Sequence, residues 1–254
     1  MKINLKKIIL TSFILVFFAF NYKIYALDKS LEVRNIIDAH KGRYTDVFVT
    51  SYINFKDAVM KKTNYEDINS GWAYFDDNND KLIIGNSAAT FCGYTMGDED
   101  LSKYGYDLVA FGGVFDEDLV ELFKLLGDKK YNQIIIFGGT NDLNIRAVNN
   151  YKDIELLYCE TLINLVTEAL QHMRYGNNDL YFIKLKPLVY NLDSDDKNFV
   201  NCFNNMAFEV NSSIGLYGFK TYDIPFDTTL EYSEHYVHYN KKIVYETLFN
   251  DLKN

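Results

Sequence analysis

The 254-residue sequence is poor in cysteine, with Cys92, Cys159 and Cys202 widely spaced and no Cys-x-x-Cys pair. An odd count at that spacing argues against a disulfide framework and makes buried thiols the default, although a single bridge stays open. Basic charge is also short, at 26 Lys and Arg against 35 Asp and Glu, for a net charge of -9. Such a chain offers neither the basic patch nor the counterion release on which nucleic-acid and anionic-lipid binding depend. No apolar run reaches the ~18 to 20 residues of a membrane-spanning helix. Missing too are a Gly-x-Ser-x-Gly elbow, a Walker loop and a Gly-x-Gly-x-x-Gly turn, which argues against lipase-type α/β-hydrolase, NTPase and dinucleotide-binding readings. The acidic run Asp76 to Asp80 lacks the glycine and the spaced glutamate of an EF-hand loop. His235 and His238 have no third ligand in sequence reach, so no metal site is expected.

What is present begins with an export signal. Lys2, Lys6 and Lys7 precede an apolar stretch from Ile8 to Phe20, and a small residue, Ala26, closes a candidate cleavage region. Residues 1–26 therefore read as a secretory signal peptide, and the protein as secreted or extracytoplasmic, touching membrane only through that segment. Residues 27–79 read as an N-terminal extension packing on the main domain. Within it residues 31–40 suggest a short helix, Asp46 to Thr50 a strand, and Glu66 to Asp80 a polar, turn-rich stretch. Tyr and Phe, 21 and 19 in number, supply an aromatic core and could equally line a cleft.

From residue 80 to 254 apolar runs alternate with segments of helical period. Strands are expected at Lys81 to Gly85, Asp107 to Gly112, Gln133 to Gly138, Asp179 to Lys184 and Lys220 to Ile224. Ile134-Ile135-Ile136-Phe137 is apolar at every position, as a strand covered on both faces should be. Ile154, Tyr158, Leu162, Leu165, Ala169 and Met173 recur every three or four residues, as do Phe199, Phe203, Met206, Val210 and Ile214. Further helices are expected over Asp116 to Leu126 and Lys241 to Leu252. Strand followed by helix, repeated, predicts an α/β fold: a flavodoxin-like three-layer α/β/α sandwich on a mainly parallel five-stranded sheet.

Ligands of such a sheet bind beyond the carboxyl ends of the strands. The chemically useful residues fall there: Gly85-Asn86-Ser87 after the first run, Gly112-Gly113 after the second, and Gly138-Gly139-Thr140-Asn141-Asp142 after the third. His235 and His238 precede the last helix. Each has a bland reading when taken alone: Ser87 as a helix N-cap, Asn141 and Asp142 as a cap or turn, the histidines as surface residues. Their order on successive strand ends favours acyl transfer, which needs a nucleophile, a base and donors for a developing oxyanion. Ser87 is the candidate nucleophile and His238 the candidate base. The backbone N–H of Ser87, that of Gly113 or its neighbour Gly112, and the Asn141 amide are the candidate oxyanion donors.

This order of pieces resembles the SGNH, or GDSL-like, hydrolases. Ile84-Gly85-Asn86-Ser87 matches the block of the nucleophilic serine, Gly112-Gly113 that of the glycine, Gly139-Thr140-Asn141-Asp142 that of the asparagine, and Val237-His238-Tyr239 that of the histidine. The resemblance covers roughly residues 80 to 254. It implies an ester hydrolase on O-acyl substrates, with acetylated glycans or cell-wall polymers favoured by export, and no metal or organic cofactor.

Three departures stand out. Asn86 occupies a position that is usually aspartate, where an amide can keep the turn's hydrogen bonds. Val114-Phe115-Asp116 lacks the further glycine and aromatic common in relatives. His235 stands where the family places the acid that orients the histidine. Three outcomes follow for that last site: a Ser-His dyad helped by a carbonyl, a substitute acid such as Glu231 or Glu234, or a glycan-binding or scaffold protein without turnover.

Overall fold

The computed structural model describes residues 31–39, 46–67, 69–176, 179–188, 197–225, 239 and 241–253. Residues 1–26, read above as an export signal, and the residues Glu231, Glu234, His235 and His238 lie outside them. A short hairpin, β1 (Tyr65–Asp67) and β2 (Gly71–Tyr74), precedes β3 (Lys81–Gly85), β4 (Tyr106–Phe111), β5 (Gln133–Phe137), β6 (Asp179–Ile183) and β7 (Lys220–Tyr222). The sheet runs β1-β2-β4-β3-β5-β6-β7, so it has seven strands rather than the expected five. The five expected ones form its parallel part, and the hairpin adds antiparallel through β2 to the edge of β4.

Side chains that alternate along each strand feed two cores. Leu82, Ile84, Ile134, Ile136, Leu180 and Phe182 point to one face, where α2 (Asp46–Lys61), α4 (Asp116–Leu125), α5 (Thr140–Val148), α6 (Leu156–Gln171) and α7 (Lys197–Ser213) cover them. Ile83, Leu108, Ala110, Ile135 and Phe137 point to the other, under α3 (Ser87–Tyr104) and α8 (Lys242–Asp251). Burial on both sides explains why the strands carry no polar alternation. The result is the three-layer α/β/α sandwich anticipated from the strand and helix alternation. A first helix, α1 (residues 31–39), packs Val33 and Ile37 against Phe115, Tyr151 and Leu157.

Two readings of the N-terminal region need correction. Asp46 to Thr50, expected as a strand, is the start of the 16-residue helix α2. The stretch from Glu66 to Asp80 is not merely loop, because Trp72, Ala73 and Tyr74 are buried in β2 against β4. Cys92, Cys159 and Cys202 are all free thiols. Among the described residues no helix is long and apolar enough to cross a membrane.

Candidate active site

The strand order reverses at β3, which has β4 on one side and β5 on the other. A crevice opens at such a switch point, beyond the carboxyl ends of the strands. Here Asn86, Ala88, Gly138, Thr140, Lys184 and Tyr239 line it. Gly85 permits the convergence, because a Cβ there would fall 2.6 Å from the Phe137 carbonyl oxygen and 2.9 Å from the Cβ of Ala89.

Asn86, not Ser87, caps the helix that follows β3. Its side-chain oxygen accepts the Ala88 N–H at 3.0 Å, and its own N–H donates to the Phe137 carbonyl at 3.0 Å. Ser87 is thereby the first helical residue, half-buried at the positive end of α3.

Gly112 stands beside the serine, since a Cβ on it would lie 3.9 Å from the Cβ of Ser87. Its N–H donates to the Ser70 carbonyl at 2.7 Å. That bond engages the Gly112 N–H within the fold. Asn141 sits in the first turn of α5 with one amide N–H given to the Val114 carbonyl at 2.8 Å. That bond orients the carboxamide and leaves its second N–H for a ligand.

A buried polar cluster, missed in the sequence, ties the second and third of these strand ends together. Asp116 accepts the Gly139 N–H at 2.7 Å and the Tyr158 hydroxyl at 3.0 Å, while Asp142 accepts the Asp116 N–H at 2.9 Å. The N-termini of α4 and α5 are thus laced to each other by reciprocal carboxylate bonds. Gly139 caps α5 at φ 80°, a backbone that a side chain would strain. Arg146 donates to the Asp142 carbonyl at 2.8 Å and to Glu155 at 2.6 Å, with its guanidinium over the Tyr158 ring. Burial pushes Asp116 up to about 6, against the hydrogen bonds from Gly139 and Tyr158. Burial and the neighbouring Asp116 charge raise Asp142 as well. The Asp142 and Arg146 pair at helical spacing was the one visible signal for this cluster.

From the core beneath α3, Tyr245 of α8 reaches the first turn of that helix. Its buried hydroxyl lies 3.2 Å from the Ala88 carbonyl oxygen and 3.1 Å from that of Tyr239, the chain neighbour of His238. His172 is part of the core rather than this site, stacked on Phe123 with Nδ1 3.2 Å from the Lys129 carbonyl. Among the described residues no group of three or more His, Cys, Asp or Glu side chains is placed to hold a metal ion.

No protein-family model matches the sequence, and no curated protein does. Sixteen chains of solved structures align with the fold, three of them as follows. A GDSL-like lipase from Bacteroides thetaiotaomicron has a TM-score of 0.48 at 13% identity, over 68% of this chain and 85% of that one. A Bacteroides fragilis protein provisionally assigned as an acylhydrolase has a TM-score of 0.46 at 15% identity, over 70% and 86%. An extracellular lipase from Streptomyces rimosus has a TM-score of 0.40 at 10% identity, over 68% and 99%.

Proposed function

We propose that this chain is an exported serine hydrolase of O-acyl esters, with the substrate carbonyl seated beyond the ends of β3, β4 and β5. The observation that carries the reading is the capping by Asn86. It relieves Ser87 of the bland role for a serine before a helix and puts it at a helix N-terminus beside Gly112. Ser87 Oγ attacks the ester carbonyl carbon while His238 takes the hydroxyl proton. The oxygen that becomes negative receives the N–H groups of Ser87 and Gly113 and the second N–H of Asn141. The intermediate collapses, the alcohol leaves with the proton from His238, and water attacking the acyl-serine regenerates the enzyme. These steps need neither metal nor organic cofactor. Support for His238 as base comes from its chain neighbour Tyr239, which Tyr245 holds beside Ala88. Export directs the activity to acylated glycans or cell-wall polymers in the extracytoplasmic space.

A fluorophosphonate probe separates this reading from a binding protein on the same fold. We expect labelling of the folded protein that disappears in Ser87→Ala, together with hydrolysis of short-chain aryl esters. Absence of both from folded wild-type protein would overturn the reading in favour of a non-catalytic binder. Asn141→Ala should lower kcat by about two orders of magnitude, the usual effect of deleting one oxyanion donor.

A further inference from the structure

The region outside the family resemblance packs beside the end of β4, next to the candidate glycines of this site. Along α2, Phe48, Tyr52 and Phe55 repeat at helical spacing and bring their rings to Phe111 at the end of β4, with centroids 5.3, 5.0 and 5.0 Å away. The neighbouring stripe, Val49 and Ile53, is 45% and 57% exposed. With Val114 these residues enclose a mainly apolar groove of about 250 Å³. Its two charges are already engaged. Lys56 lies 4.8 Å over the Tyr52 ring, and Asp118 accepts the Phe115 N–H at 2.9 Å.

Gly112 and Gly113 lie between the serine and the aromatic wall of the groove. A Cβ on Gly113 would be 3.5 Å from the Phe48 ring, just as one on Gly112 would be 3.9 Å from the Cβ of Ser87. Val114, which lines the groove, also holds Asn141 through its carbonyl. A sugar ring would need convergent polar groups, and this wall supplies methyls and ring faces instead.

We infer that the α2 groove holds a linear alkyl chain of the ester substrate, longer than acetyl, and that it sets chain-length preference. This rests on the ester-hydrolase reading of Ser87. The chain can belong to the acyl group or to the alcohol, and substrate series distinguish the two.

The test measures kcat/KM for the full chain on p-nitrophenyl esters from acetate to octanoate, and on acetate esters of alcohols from ethanol to octanol. One series should rise by about fourfold per added methylene, which corresponds to ~0.8 kcal/mol for each CH2 buried. Val49→Glu and Ile53→Glu, at exposed positions that keep good helix formers, should flatten that series, with a loss that grows with chain length. Leu170→Glu, on the exposed face of α6, should keep the slope. A rise in the acyl series assigns the groove to the acyl chain, and one in the alcohol series to the leaving group. Equilibrium binding of ethyl acetate and ethyl octanoate to Ser87→Ala supplies a readout without turnover. Chain-length-dependent binding that Ile53→Glu abolishes, in a protein that hydrolyses no ester, keeps the groove and overturns the ester reading. Hydrolysis that peaks at acetate, or a slope indifferent to Val49 and Ile53, overturns the groove and leaves the ester reading standing.

Discussion

The hydroxyl oxygen of Tyr245 lies 3.2 Å from the carbonyl oxygen of Ala88, bridging the last helix to the first turn of α3. The same hydroxyl is 3.1 Å from the Tyr239 carbonyl, so one hydrogen serves two acceptors. This contact ties Ala88 to Tyr239, the chain neighbours of the candidate residues Ser87 and His238. Tyr245→Phe keeps the ring in the core and removes the hydroxyl that the two carbonyls share. The expected loss is about 1–2 kcal/mol in urea unfolding, with kcat falling more than KM rises. Unchanged kcat alongside reduced stability would make Tyr245 a packing residue only.

Asn86 offers a separable test, because its role is visible as one cap bond. Asn86→Ala deletes the acceptor for the Ala88 N–H and should cost about 1 kcal/mol. Asn86→Asp keeps the acceptor and places a negative charge at the positive helix end. In thermal unfolding the alanine variant should melt lowest, with the aspartate variant closer to wild type. Equal loss in both would mean that the other amide atoms, not the cap oxygen, hold the turn.

The parallel core was legible because strands buried on both faces must be apolar throughout, and Ile134 to Phe137 could hardly be anything else. Where local preference and tertiary period disagreed, the sequence misled. Val47, Val49 and Thr50 are β-branched and suggest a strand. The spacing of Phe48, Tyr52, Phe55 and Val59 nonetheless makes the segment helical, since the rings of the first three pack on Phe111. β2 escaped notice because Gly71 to Tyr74 is short and set in polar residues, and its burial depends on pairing with β4. At the candidate site, the places of Ser87 and Asn141 just beyond strand ends could be read from the sequence. Asp116 could not, because its partners Gly139 and Tyr158 are 23 and 42 residues away in the chain.

His235 carries the largest departure from the pattern that the sequence resembles. A neutral imidazole can hold the ring of His238 by one hydrogen bond but cannot offset the positive charge formed when His238 takes the serine proton. Loss of the orienting acid has cost another serine triad about 10⁴ in turnover. His235→Asp should therefore raise kcat on short-chain aryl esters, by roughly tenfold or more if a substitute acid is not already in place. Steady-state kinetics of the two proteins, normalised to fluorophosphonate-titrated sites, decide it. A fall in kcat would assign His235 a role of its own in turnover.

The raised pKa of Asp116 makes stability pH-dependent in a direction that can be stated in advance. In the unfolded chain its carboxyl titrates near the ordinary value of about 3.9. In the fold it titrates at about 6, because burial outweighs the bonds from Gly139 and Tyr158 and the attraction of Arg146. The folded protein thus binds the proton more tightly, and stability contributed by this group falls as pH rises from about 4 to about 6 before levelling off. Asp142, raised by burial and by Asp116, acts in the same sense, while Asp118 adds like charge to both. Asp116→Asn removes one titration and should remove part of that slope. The wild-type stability minus that of the variant should decrease by about 2–3 kcal/mol between pH 4 and pH 7, measured by urea unfolding. A difference that stays constant, or grows with pH, would mean that the Gly139 and Tyr158 hydrogen bonds hold the Asp116 carboxylate ionised despite its burial.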